Sequence, residues 1–89
     1  MSDPLFLEMV VWRKTESKMA IRYNCLQRLD SLQYGVHTAD VFASMDAAGN
    51  ADGGLALFLD LFLDVSPVER CQWFDTLDQA IQAHDALFN

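Results

Sequence analysis

The sequence has few of the residues that build disulfide frameworks and metal sites. Its 89 residues include only two cysteines and two histidines. Cys25 and Cys71 lie far apart, with no cysteine or histidine closely spaced to either, which excludes a dense disulfide framework and a zinc site made of close pairs. We therefore expect two free, buried thiols in a cytoplasmic protein, with one structural disulfide as the alternative. We predict no metal and no cofactor.

Basic residues are also scarce. Six lysines and arginines face thirteen acidic residues, for a net charge of -7. This excludes a protein that coats nucleic acid or anionic lipid through bulk charge. Residues 1–33 have a balance of +1 and residues 34–89 a balance of -8. Either the basic first third lies against the acidic remainder of the same molecule, or an acidic face is presented to a basic partner.

Long hydrophobic runs are missing. The N-terminus has no basic region of the kind that opens a secretory signal. The most apolar stretch, Leu55 to Val65, contains Asp60 and Asp64. It is shorter than the roughly 20 residues that a membrane-spanning helix needs. We expect a soluble protein without a membrane anchor.

Apolar residues are plentiful, at 52% of the chain, and their spacing predicts an all-α fold. We expect one acidic domain over residues 1–89, a compact bundle of about four helices. The first helix would be long or broken near Thr15–Ser17 and would end at Gly35. Its apolar side follows a four-three spacing through Leu5, Met9, Trp12, Met19, Tyr23 and Leu26. The alternative is a short strand at Leu5–Trp12, since valine and tryptophan favour strands.

Two shorter helices follow in the prediction. Thr38 would cap a helix over about 39–47, which would bury Val41, Phe42 and Met45. The glycine-rich stretch 48–54 predicts a loop. The next helix, about 55–65, is apolar nearly all round, which is typical of a central helix or of half an interface.

The last helix has the strongest start signal. Ser66-Pro67-Val68-Glu69 is a capping box with proline at the first helical position. We expect the Ser66 oxygen to accept from the amide three residues on. One face of the continuing helix would then carry Trp73, Phe74, Leu77, Ala80, Ile81, His84, Leu87 and Phe88.

The motifs of common chemistries are missing. The stretch from Asp46 fails the EF-hand pattern, because position 3 is Ala48, position 6 is Ala51 and position 12 is Leu57. No phosphate loop or nucleophile-elbow motif occurs. On one continuous helix, Cys71 and His84 would stand about 20 Å apart, which excludes a thiol–imidazole pair. We predict that the protein is not an enzyme.

With these chemistries excluded, the apolar and acidic residues that would lie on the surface predict protein–protein interaction. Apolar anchors at a partner or homodimer interface would be Trp12, Phe58, Phe62, Trp73 and Phe74. An acidic surface would select the partner and would comprise Asp60, Asp64, Asp75, Asp78 and Asp85. The expected function is to dock on another protein and mask a functional surface, as inhibitors, anti-activators, immunity proteins, secretion chaperones and phage-encoded inhibitors of host defence do.

Two alternative functions stay open. In the first, the acidic residues imitate phosphates and block a DNA- or RNA-binding protein. In the second, the chain is an accessory subunit of an enzyme complex. Direct contact with nucleic acid or membrane is not expected. Salt dependence separates the first alternative from apolar masking, because a phosphate mimic loses affinity steeply with salt.

Overall fold

The computed structural model describes the backbone of residues 3–16, 18–43 and 47–88, with the side chains of these residues except at 16, 47–55 and 88. Three antiparallel strands come first: β1 (Phe6–Glu16), β2 (Met19–Arg28) and β3 (Tyr34–Ala43), in the spatial order β1-β2-β3. Three helices follow: α1 (Ala47–Asp64), α2 (Pro67–Arg70) and α3 (Leu77–Phe88).

The all-α prediction is wrong, because residues predicted as a long helix form β1 and β2. The central strand explains the error. Tyr23, Asn24, Cys25 and Leu26 are four consecutive buried residues of β2. A strand buried on both faces loses the alternation that marks a strand in sequence. The four-three spacing therefore joined residues that point to opposite faces of the sheet. The alternative prediction of a short strand at Leu5–Trp12 was correct about the type of structure. The observed strand, β1, extends further, to Glu16.

The sheet has two distinct faces. The core face carries Tyr23 and Cys25, which pack with Ile81 and Leu77 of α3. The remaining members of this cluster are Met9, Val11, Ile21, Val36 and Ala39. The opposite face, which we call the Trp12 face, carries the cross-strand row Trp12–Arg22–Asp40. Burial of the core face against α3 removes this apolar surface from water.

The predicted short helix over 39–47 and the loop over 48–54 are also corrected. Residues 39–43 are the end of β3, and Met45 lies outside the described residues. Helix α1 begins at Ala47 and runs through the glycine-rich stretch. Each glycine in a helix interior costs about 1 kcal/mol relative to alanine, so helix propensity is lowest there. The predicted helix over 55–65 matches the second part of α1, which ends at Asp64.

The predicted C-terminal helix is divided in two. The Ser66 hydroxyl accepts from the Val68 amide at 3.2 Å and caps α2, one residue earlier than expected. Cys71 is extended, and Phe74 exchanges two backbone hydrogen bonds of 2.8 Å with Tyr34. A second cap then starts α3, because the Thr76 hydroxyl accepts from the Gln79 amide at 3.1 Å. Residues 76–79 are themselves a Thr-x-x-Gln capping signature that marks this start in the sequence.

Gly35 is a residue of β3 and does not end a helix. A Cβ atom there would lie 2.9 Å from the carbonyl oxygen of Gln72 and 3.2 Å from the Trp73 ring. The missing side chain therefore lets the segment after α2 approach the sheet.

We expect Gly35→Ala to lower the free energy of unfolding by about 1–3 kcal/mol, as overpacking does. Urea denaturation followed by circular dichroism measures this. The sign of this change distinguishes a close approach from open space. Without the close approach, alanine would stabilise the strand relative to glycine by about 0.5–1 kcal/mol. A stabilised variant would contradict the close approach.

Leu32, in the turn between β2 and β3, has a left-handed backbone with φ of 61°. A non-glycine residue in this region is strained by about 1–2 kcal/mol. Glycine removes the strain but adds freedom to the unfolded chain, so we expect Leu32→Gly to raise the free energy of unfolding by about 0.5–1 kcal/mol. Leu32→Val is the matched control and should destabilise, because branched side chains tolerate this region worst. Equal effects in denaturant titrations would argue against the turn geometry.

Candidate functional site

His37 sits at a β-bulge in the third strand. Asn24 pairs with Thr38 and Cys25 pairs with Val36, so His37 is the extra residue of β3. A bulge re-aims a side chain out of the regular alternation of its strand. The imidazole is accordingly buried, with only 3% of the residue exposed, and lies 4.4 Å from the Phe58 ring between centroids.

The partners of His37 determine its protonation. Nε2 lies 3.0 Å from the carbonyl oxygen of Phe58, and Nδ1 contacts the Arg70 guanidinium, which also donates to the His37 carbonyl. A carbonyl only accepts and a guanidinium only donates, so Nε2 carries the proton and Nδ1 is the acceptor. Burial lowers the pKa of His37, the Phe58 carbonyl raises it, and the Arg70 charge lowers it. One neutral side chain thus joins β3, α1 and α2.

An open groove lies beside His37, between α1, α3 and the sheet. It has a volume of about 590 Å³. Its apolar walls come from Ile21 and Val41 of the sheet and from Leu57 and Leu61 of α1. The other residues that line it are Arg13, Thr15, Tyr23, His37, Thr38, Ala39, His84 and Asp85. This volume falls in the range of about 300–1,000 Å³ that is usual for ligand sites.

A polar cluster forms one part of the groove. The Tyr23 hydroxyl donates to Asp85 at 2.7 Å, and Arg13 pairs with the same carboxylate at 3.1 Å. Burial and the Asp85 carboxylate raise the pKa of Tyr23, while Arg13 lowers it. The His84 and Tyr23 rings make a T-shaped contact, with 5.8 Å between their centroids. These contacts connect β1, β2 and α3 and give the groove a fixed polar boundary.

A second, smaller cleft of about 260 Å³ is lined by His37, Arg70, Cys71 and His84, among others. The break between α2 and α3 places Cys71 and His84 along one cleft, so the prediction of one continuous helix through both residues is wrong. Burial raises the pKa of Cys71, against the opposing Arg70 charge, and lowers the pKa of His84. Both shifts favour neutral groups, whereas nucleophilic chemistry at cysteine needs the thiolate.

Both cysteines are free and buried. Burial raises the pKa of Cys25 to about 11, with a further contribution from Cys71. Both thiols are therefore protonated near neutral pH. Free thiols are the first of the two alternatives that the sequence left open, and the structure contains no disulfide between them.

The five predicted anchors are placed differently. Trp12 is 57% exposed on the Trp12 face. Phe58 is buried, and Phe62 stacks on it at 6.0 Å between centroids. Trp73 stacks on Phe6 at 6.1 Å between centroids and is partly buried, as is Phe74. Only Trp12 among them is mostly exposed, and the other four rings make intramolecular contacts or are partly buried.

The predicted acidic surface is also distributed over several elements. Asp60 and Asp64 are exposed on α1, and Asp75 precedes α3 on the surface. Asp78 is exposed and accepts from Gln82 at 2.8 Å, while Asp85 is engaged by Tyr23 and Arg13 as described.

Charge contacts connect the two halves of the sequence. Arg22 pairs with Asp40 at 2.9 Å and Arg13 with Asp85, so part of the basic first third does lie against the acidic remainder. The other basic residues of this third include Lys14 on β1 and Lys18 in the turn that follows it. The network includes Asn24, which donates to both Thr38 and Asp40.

Other kinds of site find no support in the described residues. Within residues 3–16, 18–43 and 47–88, no three metal-binding side chains cluster. In the same part of the chain, no helix has the length and apolar character required to cross a membrane. Asp46, the start of the rejected EF-hand pattern, lies outside the described residues.

Comparison with known proteins returns no relative. No family model matches the chain, and neither a curated protein nor a solved structure matches it significantly. The residues and their geometry therefore carry the functional argument.

The contacts of His37 predict a pH dependence. Its ordinary pKa is 6.5, and the native state lowers it. As pH falls below about 6.5, the unfolded chain takes up a proton that native His37 resists. The free energy of unfolding should therefore fall through this window and be fully retained above it. Urea titrations from pH 7.5 to 5.5 measure the effect in a His84→Gln background, because burial lowers the pKa of His84 as well.

Nitrogen-15 NMR of the imidazoles is the matching control. We expect His37 to show the Nε2–H tautomer and to titrate below its ordinary pKa. A Nδ1–H tautomer, or an unshifted titration, would contradict the arrangement between Phe58 and Arg70.

Proposed function

We propose that the protein is a non-enzymatic binding protein whose groove holds an apolar segment of a partner protein and so masks that segment. The observation that carries this is the exposed apolar rim of the groove. Val41 is 59% exposed and Leu57 is 49% exposed, on opposite walls. Exposed apolar side chains along one groove favour association, because their burial removes apolar surface from solvent.

The open form of the groove favours a protein segment as its occupant. Sites for small molecules usually enclose most of the ligand surface. Here Val41 and Leu57 remain half exposed at the rim, so a larger occupant is needed to cover them. A helix or strand of a partner would lay one apolar face between α1 and the sheet.

Charge defines the second property of the partner. The chain carries a net charge of -7, and Asp60 and Asp64 stand exposed on α1, the same helix that forms one wall. We propose a partner segment with basic residues beside its apolar face. The acidic side chains would then raise the association rate and discriminate among partners, while apolar burial would supply most of the affinity. We place this activity in the cytoplasm, which suits two free thiols.

Paired substitutions on α1 test the groove. A tagged chain is used to isolate a partner from native cells at low and high salt, and binding is then measured with the purified partner by calorimetry. We expect Leu57→Gln to weaken binding about tenfold, since about half of a leucine side chain is lost from the interface. Leu63→Gln is the control, because Leu63 is 79% exposed on the same helix and does not line the groove.

Three results would argue against the proposal. Equal binding by Leu57→Gln and Leu63→Gln would remove the groove from the interface. Binding that collapses at moderate salt, and that depends on Asp75 and Asp78, would support phosphate mimicry. A partner enzyme that is active only with this chain bound would identify an accessory subunit.

A further inference from the structure

β1 is an edge strand with a free side. It pairs with β2 and, within the part of the chain that the structure describes, with no other strand. The Leu29 amide donates to the Leu5 carbonyl at 2.9 Å, so the odd-numbered residues direct their backbone groups to β2. In an antiparallel ladder, the backbone N–H and C=O groups of successive residues point alternately toward and away from the neighbouring strand. The even-numbered residues from Phe6 to Lys14 therefore direct their backbone groups away from the sheet. Long, apolar edges of this kind are templates for a further strand.

We propose that β1 pairs antiparallel with β1 of a second copy of this chain, about a two-fold axis at Val11, to form a continuous six-stranded sheet. Val11 is the midpoint of β1, so this register centres the two strands on each other. The pairing is isologous, with the same surface used by both copies, as in most homodimers. It uses the free edge of β1 and goes beyond the proposed function of the groove.

Charge complementarity is the first argument for this register. A two-fold axis at Val11 places Glu8 opposite Lys14 of the second copy, and Lys14 opposite Glu8. Both side chains are exposed, and neither takes part in an ion pair with any side chain that the structure describes. Opposite charges directly across an antiparallel pair are stabilising, and like charges are destabilising. One strand thus carries both halves of a self-complementary pair.

Apolar complementarity is the second argument. The same axis places Val10 opposite Trp12 of the second copy. These side chains are 46% and 57% exposed and lie on the Trp12 face with Glu8 and Lys14. Arg22 lies over the Trp12 ring at 5.8 Å, which orients it before association. Aromatic and β-branched residues are favourable partners across strands.

The neighbouring registers lose these pairs. A shift of the axis to Val10 places Glu8 opposite Trp12, and a shift to Trp12 places Val10 opposite Lys14. An axis between two residues would bring outward backbone groups against inward ones and so break the ladder. Hydrogen bonding thus excludes an axis between residues, and charge and apolar contact favour the axis at Val11 over those at Val10 and Trp12.

Charge reversal tests the proposal with the full chain. Sedimentation equilibrium should show a dimer for the wild type at roughly 100 μM, a concentration that populates micromolar complexes. Glu8→Lys places two lysines opposite each other at both ends of the interface, and Lys14→Glu places two glutamates there. We expect each variant to shift at least about tenfold toward monomer. An equimolar mixture of the two should recover the dimer, because each variant then meets its complement.

The control is Glu69→Lys, which changes an exposed charge outside β1 and should dimerise like the wild type. Circular dichroism of each variant verifies the fold. A monomeric wild type at this concentration, or a dimer that Glu8→Lys leaves intact, would overturn the proposal. If both single variants lose the dimer and the mixture does not restore it, the proposal would also be overturned. In this register, residue 8 of one copy faces residue 14 of the other, so the two variants should complement each other. None of these results depends on the groove.

Discussion

The arrangement of the helices depends on the interaction of His37 with Phe58 and Arg70. The imidazole leaves β3 at a bulge, donates to a carbonyl of α1 and accepts from a guanidinium on α2. A neutral histidine suits this role, since it offers one donor and one acceptor in a single plane. This contact connects β3 to α1, which forms one wall of the groove, and to α2.

The central strand supplies the second constraint. Tyr23 and Cys25 pack against α3, while Asn24 holds Thr38 and Asp40 on the other face. β2 is thus covered on both sides, and the two outer strands are left with free edges. On β3, the backbone bonds between Tyr34 and Phe74 occupy part of the edge. β1 retains an open edge, and a buried sheet with one open edge is suited to association.

Local signals in the sequence were accurate near Ser66 but wrong at Thr38 and Gly35, which lie in β3. Ser66 and Pro67 do start a helix, and the apolar stretch from Leu55 is helical. The continuation of that capped helix through Trp73 failed, because Gly35 admits the following segment against the sheet and Phe74 bonds to Tyr34. The cap at Thr76 was present in the sequence as a second start, but an amphipathic pattern that continued through it concealed the break.

Sequence alone determined composition, charge asymmetry and the helix start at Ser66, because these depend on residue type and on spacing within one turn. It also showed that Cys25 and Cys71 lack closely spaced partners. Only the tertiary structure decided that the first half is a sheet, since burial of β2 on both faces removes the alternating pattern. It also decided that His37, Cys71 and His84 meet at one cleft, because a bulge and a broken helix bring distant residues together.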